Sequence, residues 1–99
     1  MAIKKIASDT NKKRNPDEQV LYIDPEENLT IVRERLERAS TRYVALVIPA
    51  QTQLRSSTAW RLLHRYTREM GKEVAVVSSD SQIRAIAQAA QFKVASSLA

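Results

Sequence analysis

The sequence predicts an α/β fold in which four short parallel strands alternate with three helices, in the order βαβαβαβ. Three observations predict it. Four strand-sized apolar runs punctuate the chain from Gln19 onward. The stretches between them carry apolar residues at helical spacing. The runs in the middle of the chain do not alternate apolar with polar residues, which implies burial on both faces, as in a parallel sheet covered by helices.

Residues 1–18 are polar, lack periodicity and include Asn15-Pro16-Asp17, so they read as a flexible basic tail ahead of a single domain over residues 19–99. The first strand is Val20-Leu21-Tyr22-Ile23. Asp24 follows as a candidate helix cap, with Pro25 suited to the first helical position and Glu26 and Glu27 to the positive end of the helix dipole. Leu29, Val32, Leu36 and Ala39 then recur on one helical face, so the first helix is expected from about Pro25 to Ser40. Arg33 and Glu37, like Glu34 and Arg38, stand four apart on its solvent side.

Tyr43-Val44-Ala45-Leu46-Val47-Ile48 carries the strongest strand signal and ends at Pro49, which has no N–H for a ladder hydrogen bond. A polar loop from Ala50 to Ser57 leads to a second helix over about Thr58 to Met70, with Ser57 as its cap. Ala59, Leu62, Leu63, Tyr66 and Met70 face inward, and Gly71 closes it in a left-handed turn. Val74-Ala75-Val76-Val77 is a second strand of the buried type. Asp80 caps a third helix whose Ile83, Ile86, Ala87 and Ala90 point to the core, and Phe92-Lys93-Val94-Ala95 is a short edge strand. Right-handed crossovers then build a three-layer Rossmann-like or flavodoxin-like sandwich, for which the expected strand order is 2-1-3-4.

Composition excludes several functions. The chain has no cysteine, so disulfides, zinc–cysteine sites and thiol catalysis are out. It has one glycine, so the glycine-rich turns that cradle a dinucleotide or a P-loop phosphate are missing and no nucleotide cofactor is expected. No apolar run approaches the roughly 20 residues that span a bilayer, and the N-terminal residues lack the apolar core of a signal peptide. A cytoplasmic protein is the resulting expectation, with no membrane insertion by this segment. Five lysines and arginines against three acidic residues give residues 1–18 a net charge of +2, and the remaining eleven against eight give +3. Neither part is a strong polycation.

In open parallel sheets, ligands bind at the carboxyl ends of the strands. Asp24, the loop from Pro49 to Ser57 and Ser78-Ser79-Asp80 lie there. Asp24 and Asp80 are the candidates for a Mg²⁺ site, against the simpler reading that each caps a helix. The one histidine, His64, falls within the second helix on or near its solvent side, away from the strand ends. No nucleophile–base pair is apparent, so catalytic residues and cofactors are expected to be absent. Arg61, Arg65, Arg68 and Lys72 step along the second helix beside Trp60, with Arg55 in the preceding loop. Such a stripe can follow a phosphate backbone while a tryptophan stacks on a base.

From VLYIDPEENLTIVRERL through YVALVIPAQTQLRSSTAWRLLHRYTREMGKEVAVVSSDSQIRAIAQAAQFKV, about 80 residues, the chain resembles a small Rossmann-like domain at the N-terminus of uncharacterised bacterial proteins. In some of those a membrane-spanning or baseplate-J-like region follows. The matching features are the acidic residues after the first strand, the second strand ending at Pro49, Leu54 with Leu62-Leu63, and Met70-Gly71-Lys72-Glu73 leading to the next strand and Asp80. Gln91 departs from the pattern by standing where such domains place glycine. The resemblance implies a front module of a longer chain and brings no catalytic residue with it. The expected function is a non-enzymatic interaction or regulatory module with a protein partner, contacting it at an edge strand or the loop near Leu54. The alternative is a nucleic-acid-binding domain using the helical stripe.

Overall fold

The structure is a computed structural model that describes residues 17–98. The tail reading of residues 1–18 falls almost wholly outside the described residues. The described part has the expected α/β class: β1 (Gln19–Tyr22), α1 (Leu29–Arg38), β2 (Tyr43–Val47), α2 (Ser57–Met70), β3 (Glu73–Val77), α3 (Ser81–Ala89) and β4 (Lys93–Ala95). All four strands are parallel in one sheet. No described helix is long and apolar enough to cross a membrane.

Local chemistry explains most element ends. Ser56 accepts from the Ala59 N–H and caps α2 one residue before the expected position. Gly71 closes α2 at φ 72°, the left-handed conformation that glycine adopts without a Cβ clash. Asp80 accepts from Gln82 and Ile83 at the start of α3. Gln91 also sits at φ 82°, so the missing glycine leaves a strained turn, as the sequence implies. The start of α1 needs correction. Asp24 does not cap it. Its carbonyl accepts from the Glu27 N–H while its own N–H donates to the Glu27 side chain, closing a turn around Pro25, and Asn28 becomes the cap.

The strand order is 1-2-3-4, not the expected 2-1-3-4. The observed order puts β2 and β3, the two most apolar strands, in the middle, where both neighbours are sheet, and leaves β1 and β4 as edges. It also decides the layers. Three right-handed crossovers stepping the same way place every helix over the same face. Accordingly α1 packs on α2, and α2 on α3. Arg33 lies 4.7 Å over the Tyr66 ring, joining the first two helices.

The core lies between this helical layer and one face of the sheet. Leu21, Leu46, Val76 and Val94 pair in register across the four strands on that face. Val32 and Leu36 from α1, Trp60 and Leu63 from α2, and Ile83 and Ala87 from α3 close over it. The third layer of the expected sandwich is not supplied by any described helix. The outer face of the sheet instead carries the rows Val20-Ala45-Ala75-Lys93 and Tyr22-Val47-Val77-Ala95, since register partners share a face and residues two apart repeat it.

Candidate functional site

At the carboxyl ends of the strands, the polar groups are engaged with one another. Arg55 is the hub. Its guanidinium pairs with Asp80 at 3.0 Å, donates to the Gln82 side chain at 2.9 Å, and also donates to the Ala50 carbonyl. This ties the loop after β2 to the start of α3. The Asp80 carboxylate thus serves Arg55 and two helix N–H groups together. Its pKa is held below the ordinary 3.8, first by the Arg55 hydrogen bond and then by the Gln82 N–H.

Other arginines act in the same manner. Arg35 donates to the Tyr22 carbonyl and pairs with Glu27, both at 2.8 Å, which pins the end of β1. Arg84 donates to the Ser78 carbonyl at 2.8 Å and pins the end of β3. Within the loop after β2, Thr52 accepts from the Leu54 N–H, and Gln53 reaches the Glu26 carbonyl at 2.6 Å. Leu54 is buried beneath the loop. Among the described residues, no buried side-chain polar atom lacks a partner.

The two aspartates are not brought together. Asp24 is at the end of β1 and Asp80 follows β3, with β2 between them. Two strand spacings amount to about 10 Å, whereas one Mg²⁺ needs oxygens about 2.1 Å from it. Among the described residues, no group of three or more His, Asp or Glu side chains converges. A depression of ≈ 200 Å³ lies along β1 and the end of α1, lined by Gln19, Leu21, Arg35, Arg38 and Ala39. It is smaller than the roughly 300 Å³ at which small-molecule pockets begin.

The basic stripe divides into two groups. Arg61, Arg65 and Arg68 are exposed on α2, and Arg65 pairs loosely with Glu69 at 3.5 Å. Lys72, by contrast, folds inward and donates to the carbonyls of Ala39 (2.9 Å) and Thr41 (2.7 Å), closing the end of α1. Trp60 is 1% exposed, not available as a stacking platform. Its indole N–H donates to the Leu54 carbonyl at 2.8 Å and its ring meets Phe92 edge-on. His64 is also not on the solvent side. It is half-buried, with its ring edge-on to Phe92 at 5.0 Å. Both departures have one cause. The buried line of α2 is Trp60, Leu63 and Thr67, so of the expected inward residues Ala59, Leu62, Leu63, Tyr66 and Met70 only Leu63 is fully buried, with Tyr66 and Met70 packed partly buried against the core. The spacing of Trp60 and Leu63 in the sequence carried that signal.

What remains is the outer face of the sheet, which sequence reasoning missed because it expected helices there. Tyr22 is 62% exposed at its edge. Val20, Tyr43, Val47 and Ala75 are half-buried, and Ala45 and Val77 lie low between them. Glu73, paired with Arg42 at 3.2 Å, and Lys93 mark its polar rim. Comparison with family models, with curated proteins and with solved structures gave no match.

Proposed function

We propose that this domain is a non-enzymatic protein-interaction module, and that its contact surface is the outer face of the sheet. One observation carries the reading: the row Tyr22-Val47-Val77-Ala95 is apolar across all four strands and has no described helix over it. All-parallel sheets are stable with both faces covered, so a face of this kind calls for a partner. The self-satisfied strand ends support the same reading from the other side, because Arg55, Arg35 and Arg84 are committed to holding the fold. The resemblance to an N-terminal module of longer proteins is in keeping with it.

The test places a photo-reactive residue at Val47 in one sample and at Arg65 in another. Cross-linking to one discrete protein from position 47, lost in Tyr22→Asp, supports the reading. Cross-links confined to position 65 would overturn it. Three exposed arginines on α2 keep nucleic-acid binding as a second reading. In that case the position-65 adduct is nuclease-sensitive, and the affinity falls with salt.

A further inference from the structure

We infer that the free edge of β1 takes an extended segment of a partner protein as a fifth strand, and that this segment carries a carboxylate side chain flanked by apolar residues. The edge is a second contact surface, and it stands or falls separately from the outer face of the sheet.

The backbone leaves this edge open. Ile23 N–H donates to the Val47 carbonyl, so by the alternation of a parallel ladder Gln19 and Leu21 also turn their backbone groups to β2. Val20 and Tyr22 turn theirs the other way, where among the described residues no strand pairs with β1. The Tyr22 carbonyl is taken by Arg35. The Val20 N–H and C=O and the Tyr22 N–H have no partner among the described residues, and a strand laid alongside in either direction meets all three. Sheet edges are commonly blunted by charge, proline or shortness. β4, the other edge, is three residues long and carries Lys93. β1 has four residues, Gln19-Val20-Leu21-Tyr22, with neither charge nor proline.

The side chains select the occupant. The depression of ≈ 200 Å³ is lined by Gln19, Leu21, Arg35, Arg38 and Ala39 and by no residue of β2, so it opens at the free side of β1. Gln19 closes one end by accepting from the Ser40 N–H at 3.2 Å, and Arg35 closes the other by reaching the Tyr22 carbonyl. An added strand sets one side chain beside Leu21, over this space, and its two neighbours beside Val20 and Tyr22 on the outer face. The space suits one side chain rather than a small molecule. Its cations set the charge of that side chain. Arg35 already pairs with Glu27, whereas Arg38 is exposed and pairs with no described carboxylate, Glu34 one turn before it included. A glutamate lays its stem along Leu21 and Ala39 and brings its carboxylate to Arg38. Its neighbours are apolar because they extend the row that begins at Tyr22. A second copy of β1 fits poorly, since it brings only Gln19 and Leu21 to the depression and no carboxylate.

The isotope-labelled chain is titrated with the capped peptide Thr-Val-Glu-Val-Thr and followed by its amide signals. Saturable shifts and slowed amide exchange are expected at Val20 and Tyr22, with Lys93 and Ala95 unmoved. Glu→Gln in the peptide, or Arg38→Gln in the chain, should weaken binding about two- to fivefold, as for a partly exposed ion pair. The two changes together should weaken it no further than either alone. Val20→Pro, which an edge strand tolerates where the N–H faces outward, should keep the fold and abolish binding. N-methylation of the glutamate and of the valines should differ, one abolishing binding and the other sparing it, because alternate residues of the guest strand face β1. The absence of saturable shifts would overturn the inference, as would shifts confined to the outer face, equal tolerance of both methylations, or affinity indifferent to the carboxylate. So would β1 shifts that grow with the concentration of the chain alone, which mean that a second copy holds the edge. Any of these results with cross-linking from Val47 intact leaves the outer-face reading standing, and peptide binding without that cross-linking leaves the edge alone.

Discussion

Arg55 and Asp80 form a 3.0 Å ion pair that joins the loop after β2 to the N-terminus of α3, and the same carboxylate caps that helix. The pair makes stability depend on pH in a defined direction. The Asp80 carboxyl titrates below its ordinary 3.8, so the stability it contributes is present above that pH and lost as pH falls through the lowered value. Arg55→Ala should therefore be less stable than the parent at neutral pH, with the difference narrowing as acid protonates Asp80. Chemical denaturation at a series of pH values measures it, and a carboxyl-detected titration should show Asp80 moving up in the variant. A stability difference that stays constant into acid would show that the pair is not its source.

Trp60→Phe should destabilise the domain by about 2 kcal/mol, because the Leu54 carbonyl loses the indole N–H and the smaller ring leaves a gap against Phe92. The parent's tryptophan emission should be blue-shifted and resistant to iodide. Addition of single-stranded nucleic acid should leave it unchanged, since the ring is shielded. Quenching by either would contradict the buried placement.

Gln91→Gly should stabilise. Relief of the left-handed strain is worth about 1–2 kcal/mol, and the added freedom of the unfolded chain takes back about 0.4–1 kcal/mol. A net gain of about 0.5–1 kcal/mol should appear as a higher midpoint in urea with an unchanged slope.

Lys72→Met keeps the aliphatic stem but removes the ammonium that holds the Ala39 and Thr41 carbonyls. Loss of about 1.5–3 kcal/mol is expected, the range for hydrogen bonds to a charged group. Amide exchange should quicken first at the end of α1. Equal loss of protection across all elements would place the effect elsewhere.

Changing Arg61, Arg65 and Arg68 together to alanine should leave folding and partner cross-linking from Val47 intact, because all three side chains are exposed on the helical layer. Any nucleic-acid affinity of the parent should fall with salt with a log–log slope no steeper than about −3, the limit set by three phosphate contacts. A steeper slope would require cations beyond these three arginines.

The sequence by itself determined the strands, the helices, the Gly71 and Asp80 caps and the strained turn at Gln91. Those features depend on apolar spacing and on hydrogen bonds that reach only a few residues along the chain. The cap of α1 is Asn28, where the sequence reading expects Asp24. The tertiary structure alone decided which strands became neighbours, because a right-handed crossover leaves the same local pattern whichever side the next strand joins. From the order 1-2-3-4 follow the separation of Asp24 from Asp80 and the placement of all three helices on one face. Trp60 is buried edge-on against Phe92, a residue 32 positions away. The row from Tyr22 to Ala95, with no described helix over it, was therefore unreadable in advance: its residues are apolar in any arrangement, and only the side taken by the described helices shows that they face outward.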